Sequence, residues 1–188
     1  MKTLLAAAVL LGALAAFAVT AAAAGNAMRA SMTVDPSTLY VIPGDLFPAP
    51  VSARCGPALP QAIVGATASG EMTSEVYTGP FTMTEEHCTL LVNITNDGQL
   101  AVAHVRLGEM TLAAPGGTLE IAFEAPGVIH GPVFLGPNVH TSNGPYTITG
   151  GTGIFEGATG HGHIGGTGVF DGSVFDVNMT LNGSLVVR

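Results

Sequence analysis

The chain of 188 residues is acidic, with thirteen Asp and Glu against five Lys and Arg and a formal net charge of −8. Such a surface repels nucleic acid and anionic lipid, and no local basic cluster compensates for it. The composition therefore excludes nucleic acid as a partner and directs attention to small molecules or to other copies of the chain.

Residues 1–24 predict a secretory signal peptide. Lys2 precedes a long apolar run that ends in four alanines at residues 21–24, which is the order of a cleavable leader. A retained membrane anchor is the alternative, because the run is just long enough to cross a bilayer. We expect cleavage, which leaves one domain of a size that supports a single core and makes the protein secreted or periplasmic.

Cys55 and Cys88 are the two cysteines of the chain. In a protein exported to an oxidising compartment, a disulfide is the expected state of such a pair. A reactive thiol is the alternative, but neither cysteine lies in a CxxC motif. We predict a Cys55–Cys88 disulfide.

Residues 25–60 form a proline-rich segment that we expect to be irregular, with at most one or two short strands such as residues 38–42. From Gln61 onward the apolar residues follow a period of two, and no window of helical length carries an amphipathic helical stripe. We therefore assign residues 61–188 to one β-domain.

The clearest hairpin joins residues 88–95 to residues 99–107, because Asn-Asp-Gly at residues 96–98 is a strong turn signal. In the second arm the apolar positions change phase at Gly108. A change of phase by one residue at a glycine predicts a β-bulge, which bends a strand where a sheet closes on itself.

Eight strands are predicted in all, and residues 125–145 are expected to be a loop. The strands are residues 62–72, 76–83, 88–95, 99–113, 118–124, 145–150, 158–165 and 174–187. Antiparallel strands with one apolar face each favour an all-β, closed or nearly closed eight-stranded barrel, since closure removes exposed edges. A two-sheet β-sandwich is the alternative.

A near-repeat of glycines, one aromatic residue and one carboxylate lies between residues 147 and 174. GGTGIFEGA at residues 150–158 recurs as GGTGVFDGS at residues 165–173. The three glycines of GGTG beside one ring suit a chain that turns sharply and buries the ring to hold the turn. We predict a corner of the barrel, with Phe155 and also Phe170 as buried anchors.

The first copy resembles the run GG-x-GIFEG-x-x-G of the allene oxide cyclase barrel family, to which the dirigent proteins are related. The matching residues are Gly150, Gly151, Gly153, Ile154, Phe155, Glu156, Gly157 and Gly160. The resemblance implies an eight-stranded antiparallel barrel, often trimeric, with ligands that enter at one mouth. It also implies that the motif is structural, and the catalytic polar groups of the plant cyclases, which lie on other strands, have no matching positions here.

Four polar residues are candidates for the barrel interior. His104, Arg106 and Glu109 would form a charged cluster there if the phase change turned them inward, and a wet outer face is the alternative. Tyr146 starts the strand that leads into the motif, and it either lines the cavity or packs in the core.

His161 and His163 are two residues apart, so on a strand they share a face and are candidate ligands for Zn or Cu. A third ligand would have to come from Glu156, His130 or His140, and no spacing requires it. The alternative is a solvated pair on a polar face, and we expect neither a metal nor another cofactor.

The predicted function is that of a small exported barrel that binds a small apolar or aromatic ligand, or assembles with itself as a dimer or trimer. The alternative is an isomerase or cyclase that folds a reactive apolar substrate in the lumen, as in allene oxide cyclase-like enzymes. An enzyme would hold two or three converging polar groups in its cavity, whereas a scaffold would have a filled or wholly apolar lumen. No catalytic residue is assigned.

Overall fold

The computed structural model describes residues 27–43, 53–56, 61–133 and 136–188. The predicted signal peptide lies outside these residues. Within them, nine strands form one antiparallel sheet. In chain order the strands are β1 (Ala27–Val34), β2 (Tyr40–Pro43), β3 (Gln61–Thr73), β4 (Thr78–Ile94), β5 (Leu100–Ala114), β6 (Gly117–His130), β7 (Asn138–Gly151), β8 (Gly160–Phe170) and β9 (Phe175–Ser184).

The sheet closes into an eight-stranded barrel because β1 pairs with both β9 and β3. From β3 to β9, each strand pairs with the next one along the chain. The extra strand β2 pairs with the first residues of β3, beyond the stretch that β1 occupies. The predicted closed antiparallel barrel is therefore confirmed, and the two-sheet alternative is wrong.

Alternating side chains explain why these segments form a barrel wall. Along β1 every second residue is buried and the residues between are exposed. The buried residues of β1 are Met28, Ala30, Met32 and Val34. A wall with one dry and one wet face needs this period of two. The described part of residues 25–60 thus contains two strands, β1 and β2, which agrees with the one or two short strands expected there, and β2 overlaps the predicted strand at residues 38–42. The assignment of the barrel to residues 61–188 alone is wrong, because β1 is a barrel strand.

The predicted strands at residues 76–83 and 88–95 are in fact one strand of 17 residues, β4. The polar side chains of Glu85 and His87 face the interior, and Cys88 is buried on the outer face. Both faces of this stretch are thus partly covered by protein. The alternation of apolar and polar residues that marks a strand therefore fails there, although the backbone stays extended.

The loop predicted at residues 125–145 is mostly strand, because β6 continues to His130 and β7 begins at Asn138. The four prolines and four glycines of this stretch are what favoured a loop. The pairing of β6 with β7 is interrupted at residues 124–126 and 143–145, and Pro126 and Pro145 lie in these gaps. A proline lacks the N–H that a ladder needs, so it is tolerated where the ladder is broken.

The predicted bulge at Gly108 is confirmed by a register shift between Val105 and Gly108. Leu107 in the bulge has a positive φ of 50°. A Cβ atom at Gly108 would lie 2.6 Å from the ring of Phe123. Glycine is required there because the Phe123 ring occupies the space that a side chain would need.

The predicted corner is also confirmed, and it closes one end of the barrel. A short 3₁₀ turn spans Gly153–Phe155, and the side chain of Phe155 is completely buried with its ring 6.2 Å from that of Tyr77 in an edge-to-face contact. The backbone N–H of Ile154 donates to the carbonyl oxygen of Gly116 at 3.0 Å, which ties the corner to the β5–β6 turn. Gly153 has a φ of +59°, and a Cβ atom there would collide with Gly116.

The second copy of the repeat has a different environment. Phe170 ends β8 at the opposite end of the barrel and is only partly buried, with its ring 6.4 Å from that of Phe175. The prediction that Phe170 is a core anchor is therefore wrong. The two copies share a turn composition but not a packing environment.

Candidate functional site

The two halves of the barrel interior differ in how fully side chains fill them. Toward the Phe155 corner the interior is packed, and Leu181 of β9 is completely buried. Toward the other end, the same face of β9 carries Phe175 and Val177, which stay partly exposed. This second half, which we call the open half, contains a cavity of about 690 Å³. That volume lies within the range of small-molecule sites.

Small side chains and an incomplete wall create the cavity. Several lining positions hold only alanine or glycine, and these are Ala62, Ala66, Ala103, Ala125, Gly127, Gly166 and Gly168. The pairing of β1 with β9 ends at Thr33 and Asn178, and in the described residues β2 continues only along β3. Among the described residues, the barrel wall is therefore incomplete between β2 and β9, beyond the point where β1 ends. Most of the remaining lining in the described residues is apolar, and the ionisable groups among these residues belong to two polar pairs.

The first pair is Glu85 and His87 on β4. Their spacing of two residues places both side chains on the inner face. Nδ1 of His87 lies 2.8 Å from Oε2 of Glu85, and the two side chains are only 14% and 6% exposed. Because a carboxylate can only accept, Nδ1 donates, and Nε2 is the ring atom left for a ligand. Phe123 packs edge-on against this imidazole, with the ring centres 6.1 Å apart.

The second pair is Asn138 and His140 on β7. Asn138 is buried, and its amide nitrogen donates to the carbonyl oxygen of Pro132 at 2.9 Å. Its oxygen therefore faces Nε2 of His140 at 2.8 Å and accepts from it. Burial lowers the pKa of His140, which favours the neutral ring. Phe175 packs against this imidazole, with the ring centres 4.7 Å apart.

Three of the sequence-predicted cavity groups, His104, Arg106 and Glu109, are exposed on the outer face of β5. The bulge explains this correction. It inserts one extra residue, so the inner face resumes at Gly108 and continues at Met110, and the polar residues on both sides of the bulge stay outside. Glu109 is 77% exposed, and its nearest cation is Arg54 at 3.4 Å. These side chains do not reach the lumen.

Tyr146, the fourth predicted cavity group, lies inside the barrel, but in its packed half. Its side chain is only 2% exposed and belongs to the main core. A Cβ atom at Gly162 would lie 2.7 Å from the Tyr146 ring, so a glycine there makes room for it. The hydroxyl has no partner among the described residues, and burial raises the pKa of Tyr146 to about 12. Tyr146 is thus a core residue beneath the cavity.

The histidines considered as metal ligands do not converge. His161 and His163 share the exposed outer face of β8, and His130 is exposed at the end of β6. Glu156 is exposed beyond the corner, whereas His140 lies in the lumen. Across residues 27–43, 53–56, 61–133 and 136–188, no group of three or more His, Cys, Asp or Glu side chains is placed to hold a metal ion.

The predicted disulfide is present, with Cys55 bonded to Cys88 and their Cα atoms 5.7 Å apart. It fastens residues 53–56 to the outer face of β4. Arg54 of this segment forms an ion pair with Glu86, and Glu86 accepts a hydrogen bond from the Tyr40 hydroxyl. That hydrogen bond raises the pKa of Tyr40 to about 12. The outer cluster thus supports β4 directly behind the Glu85–His87 pair.

Neither polar pair was predicted as a site from the sequence, although the two pairs share one signal. Each is a hydrogen-bonding residue two positions before a histidine, Glu-x-His at residues 85–87 and Asn-x-His at residues 138–140. On a strand this spacing places both groups on one face. The signal was hidden because neither stretch was assigned to a strand.

Comparison with family models, curated proteins and solved structures gives no match to this chain. In the parts of the chain that the structure describes, no helix has the length and apolar character needed to span a bilayer. The candidate site is therefore defined by its own geometry. It is an apolar cavity in the open half of a closed barrel, with the Glu85–His87 pair on β4 and the Asn138–His140 pair on β7.

Proposed function

We propose that this protein binds a small apolar molecule in the open half of the barrel lumen. The cavity of about 690 Å³, with its largely apolar wall, carries the proposal. Partly exposed inward-facing residues such as Val177 and Met179 gain apolar contact when a ligand enters, and burial of apolar surface is the main driving force for such binding. A barrel whose only role is structural has no need to leave this half unfilled.

Filling the cavity with a side chain is expected to block binding. Ala103 lines the open half of the lumen on β5 and is 8% exposed. Ala103→Leu places three more carbon atoms in the cavity, and we expect it to weaken binding of an uncharged dye such as N-phenylnaphthylamine at least about tenfold, a loss of about 1.4 kcal/mol. The dye's fluorescence, which rises in apolar surroundings, gives the affinity.

Ala113→Leu is the matched control, because Ala113 lies on the same strand with its side chain exposed on the outer face. It should bind the dye like the parent protein. Equal affinity of both variants and the parent would place the dye elsewhere and contradict a site in the lumen. No binding by the parent to any apolar probe would overturn the proposed function itself.

An isomerase or cyclase is the second candidate, and the Glu85–His87 pair favours it. An imidazole held by a carboxylate, with its other nitrogen directed at an apolar cavity, is an arrangement that can take up and return a proton. Such a group would act on a substrate held away from water by the lumen wall. This candidate also agrees with the resemblance of residues 150–160 to the allene oxide cyclase barrel family.

Proton transfer by His87 has a direct test in deuterated water. If His87 acts as a base, the parent protein should speed exchange of the C–H hydrogens beside the carbonyl of a small cyclic ketone, as measured by mass spectrometry. His87→Gln should reduce that rate by about 10²-fold or more, while His104→Gln on the outer face should leave it unchanged. A rate equal to that of buffer would contradict the enzymatic candidate and leave ligand binding in place.

Export of the protein is part of this proposal. The Cys55–Cys88 disulfide fits an oxidising compartment, and residues 1–24 have the composition of a cleavable leader. We therefore propose a secreted or periplasmic binding protein. Its assembly into dimers or trimers stays a prediction from the family resemblance.

A further inference from the structure

We propose that the open half of the lumen selects neutral apolar molecules that carry a hydroxyl group, and that the hydroxyl donates its proton to Nδ1 of His140. The inference rests on the proposed binding function and adds the chemical class of the ligand. Its basis is the hydrogen-bond state of His140, the placement of cationic groups outside the lumen, and the rings beside His140.

The tautomer of His140 follows from its neighbours. The carbonyl oxygen of Pro132 can only accept, so the Asn138 nitrogen must point toward it, at 2.9 Å. The Asn138 oxygen is then left to face Nε2 of His140, at 2.8 Å, and Nε2 must carry a proton. In the neutral ring, Nδ1 therefore carries no proton. Its lone pair can accept a hydrogen bond, but it cannot donate one.

His87 lies on another wall of the cavity, where its Nδ1 is bonded to the Glu85 carboxylate. Among the described residues, no protein donor is found for Nδ1 of His140 or for Nε2 of His87. The lumen thus offers the Nδ1 lone pair of His140 as an acceptor, and a ligand that bonds to it must supply a donor.

The placement of the arginines opposes anionic ligands. No Lys or Arg is found among the described residues that line the cavity, whereas the Glu85 carboxylate does line it. Arg29, Arg106 and Arg188 are exposed, and Arg54 pairs with Glu86 outside the barrel. A carboxylate ligand would be buried without a cation, which is costly. The favoured ligand is therefore neutral.

Aromatic rings next to His140 provide the apolar part of the site. The ring of Phe175 lies 4.7 Å from the imidazole, and that of Phe170 lies 6.4 Å from Phe175. Both phenylalanines line the cavity. A flat apolar group can pack against these rings while its hydroxyl reaches the imidazole, since aromatic pairs are favourable at these separations.

Three matched probes test the inference on the intact protein: naphthylmethanol, its methyl ether and naphthoate. All three share one ring system. The alcohol presents a hydrogen-bond donor, the ether presents no donor, and naphthoate carries a negative charge. The chain contains no tryptophan, so naphthalene fluorescence reports binding with little background. We expect the alcohol to bind about fivefold more tightly than the ether, the effect of one net hydrogen bond, and at least about tenfold more tightly than naphthoate.

His140→Phe identifies the acceptor, because it removes both ring nitrogens and keeps an aromatic ring beside Phe175. The ratio of alcohol to ether affinity should fall to about one, while the ether affinity changes little. His104→Phe, the same substitution on the exposed face of β5, should preserve the ratio. A purely structural role of His140 would weaken both probes equally and leave the ratio unchanged.

The outcomes separate the two proposals. Equal affinities of the alcohol and the ether in the parent protein would overturn this inference and leave lumen binding intact, whereas no binding of any probe would overturn the proposed function as well. A ratio that persists in His140→Phe would remove His140 as the acceptor. The parent measurement decides the ligand class even if a variant does not fold.

Discussion

Phe155→Ala is expected to lower the free energy of unfolding by about 3–5 kcal/mol, as truncation of a fully buried phenylalanine does. The side chain of Phe155 is completely buried, and its ring makes an edge-to-face contact with Tyr77 at 6.2 Å. Loss of the ring leaves a void among the buried residues at this end of the barrel. Thermal unfolding should show a fall in Tm of roughly 10 °C or more.

Ile154→Ala is the control, because the neighbouring Ile154 side chain is 39% exposed and its truncation should cost much less. Phe155 is not part of the cavity wall, so the folded Phe155→Ala protein should still bind the apolar dye. If that variant kept its Tm but lost the dye, the motif would be a binding site, and its assignment as a structural corner would be wrong.

Removal of the disulfide by a double change, Cys55→Ala with Cys88→Ala, is expected to cost about 3–4 kcal/mol of stability. The bond joins residues 33 positions apart, and closing a loop of this length restricts the unfolded chain by roughly that amount. It also releases the segment at residues 53–56 from the outer face of β4. Denaturant unfolding of the variant, compared with that of the parent protein with its disulfide intact, measures the effect.

Arg54→Gln separates the covalent bond from the ion pairs that accompany it. Arg54 is 27% exposed and pairs with Glu86 and Glu109, and contacts of this kind contribute about 1 kcal/mol or less. The arginine variant should therefore lose far less stability than the double alanine variant. A double alanine variant as stable as the parent would show that the unfolded chain is not restricted by this bond.

The barrel fold could be predicted because the sequence signals that specify it come from residues close together in the chain. Inward and outward residues alternate along β9, and Asn-Asp-Gly at residues 96–98 specifies a tight turn between β4 and β5. The change of phase at Gly108 is enough to predict the bulge that the register shift confirms. Each of these signals involves only neighbouring residues, so each can be recognised without knowledge of the fold.

The candidate site was not predictable in the same way. His104, Arg106 and Glu109 were plausible interior groups from the sequence, but the bulge keeps all three outside. Whether a polar residue on a strand faces lumen or solvent depends on the phase of its whole strand. In β4 that phase is obscured, because Cys88 is buried on the outer face by the disulfide.

By itself, the sequence indicated a closed antiparallel β-barrel, a corner at residues 150–160 anchored by Phe155, and a bond between Cys55 and Cys88. These features follow from alternation, glycine turns and the pairing of two available thiols. Only the tertiary structure decided that β1 completes the barrel, that one half of the lumen stays open, and that Glu85–His87 and Asn138–His140 face it. Closure joins strands distant in sequence, and the interior that it creates is a property of all eight strands together.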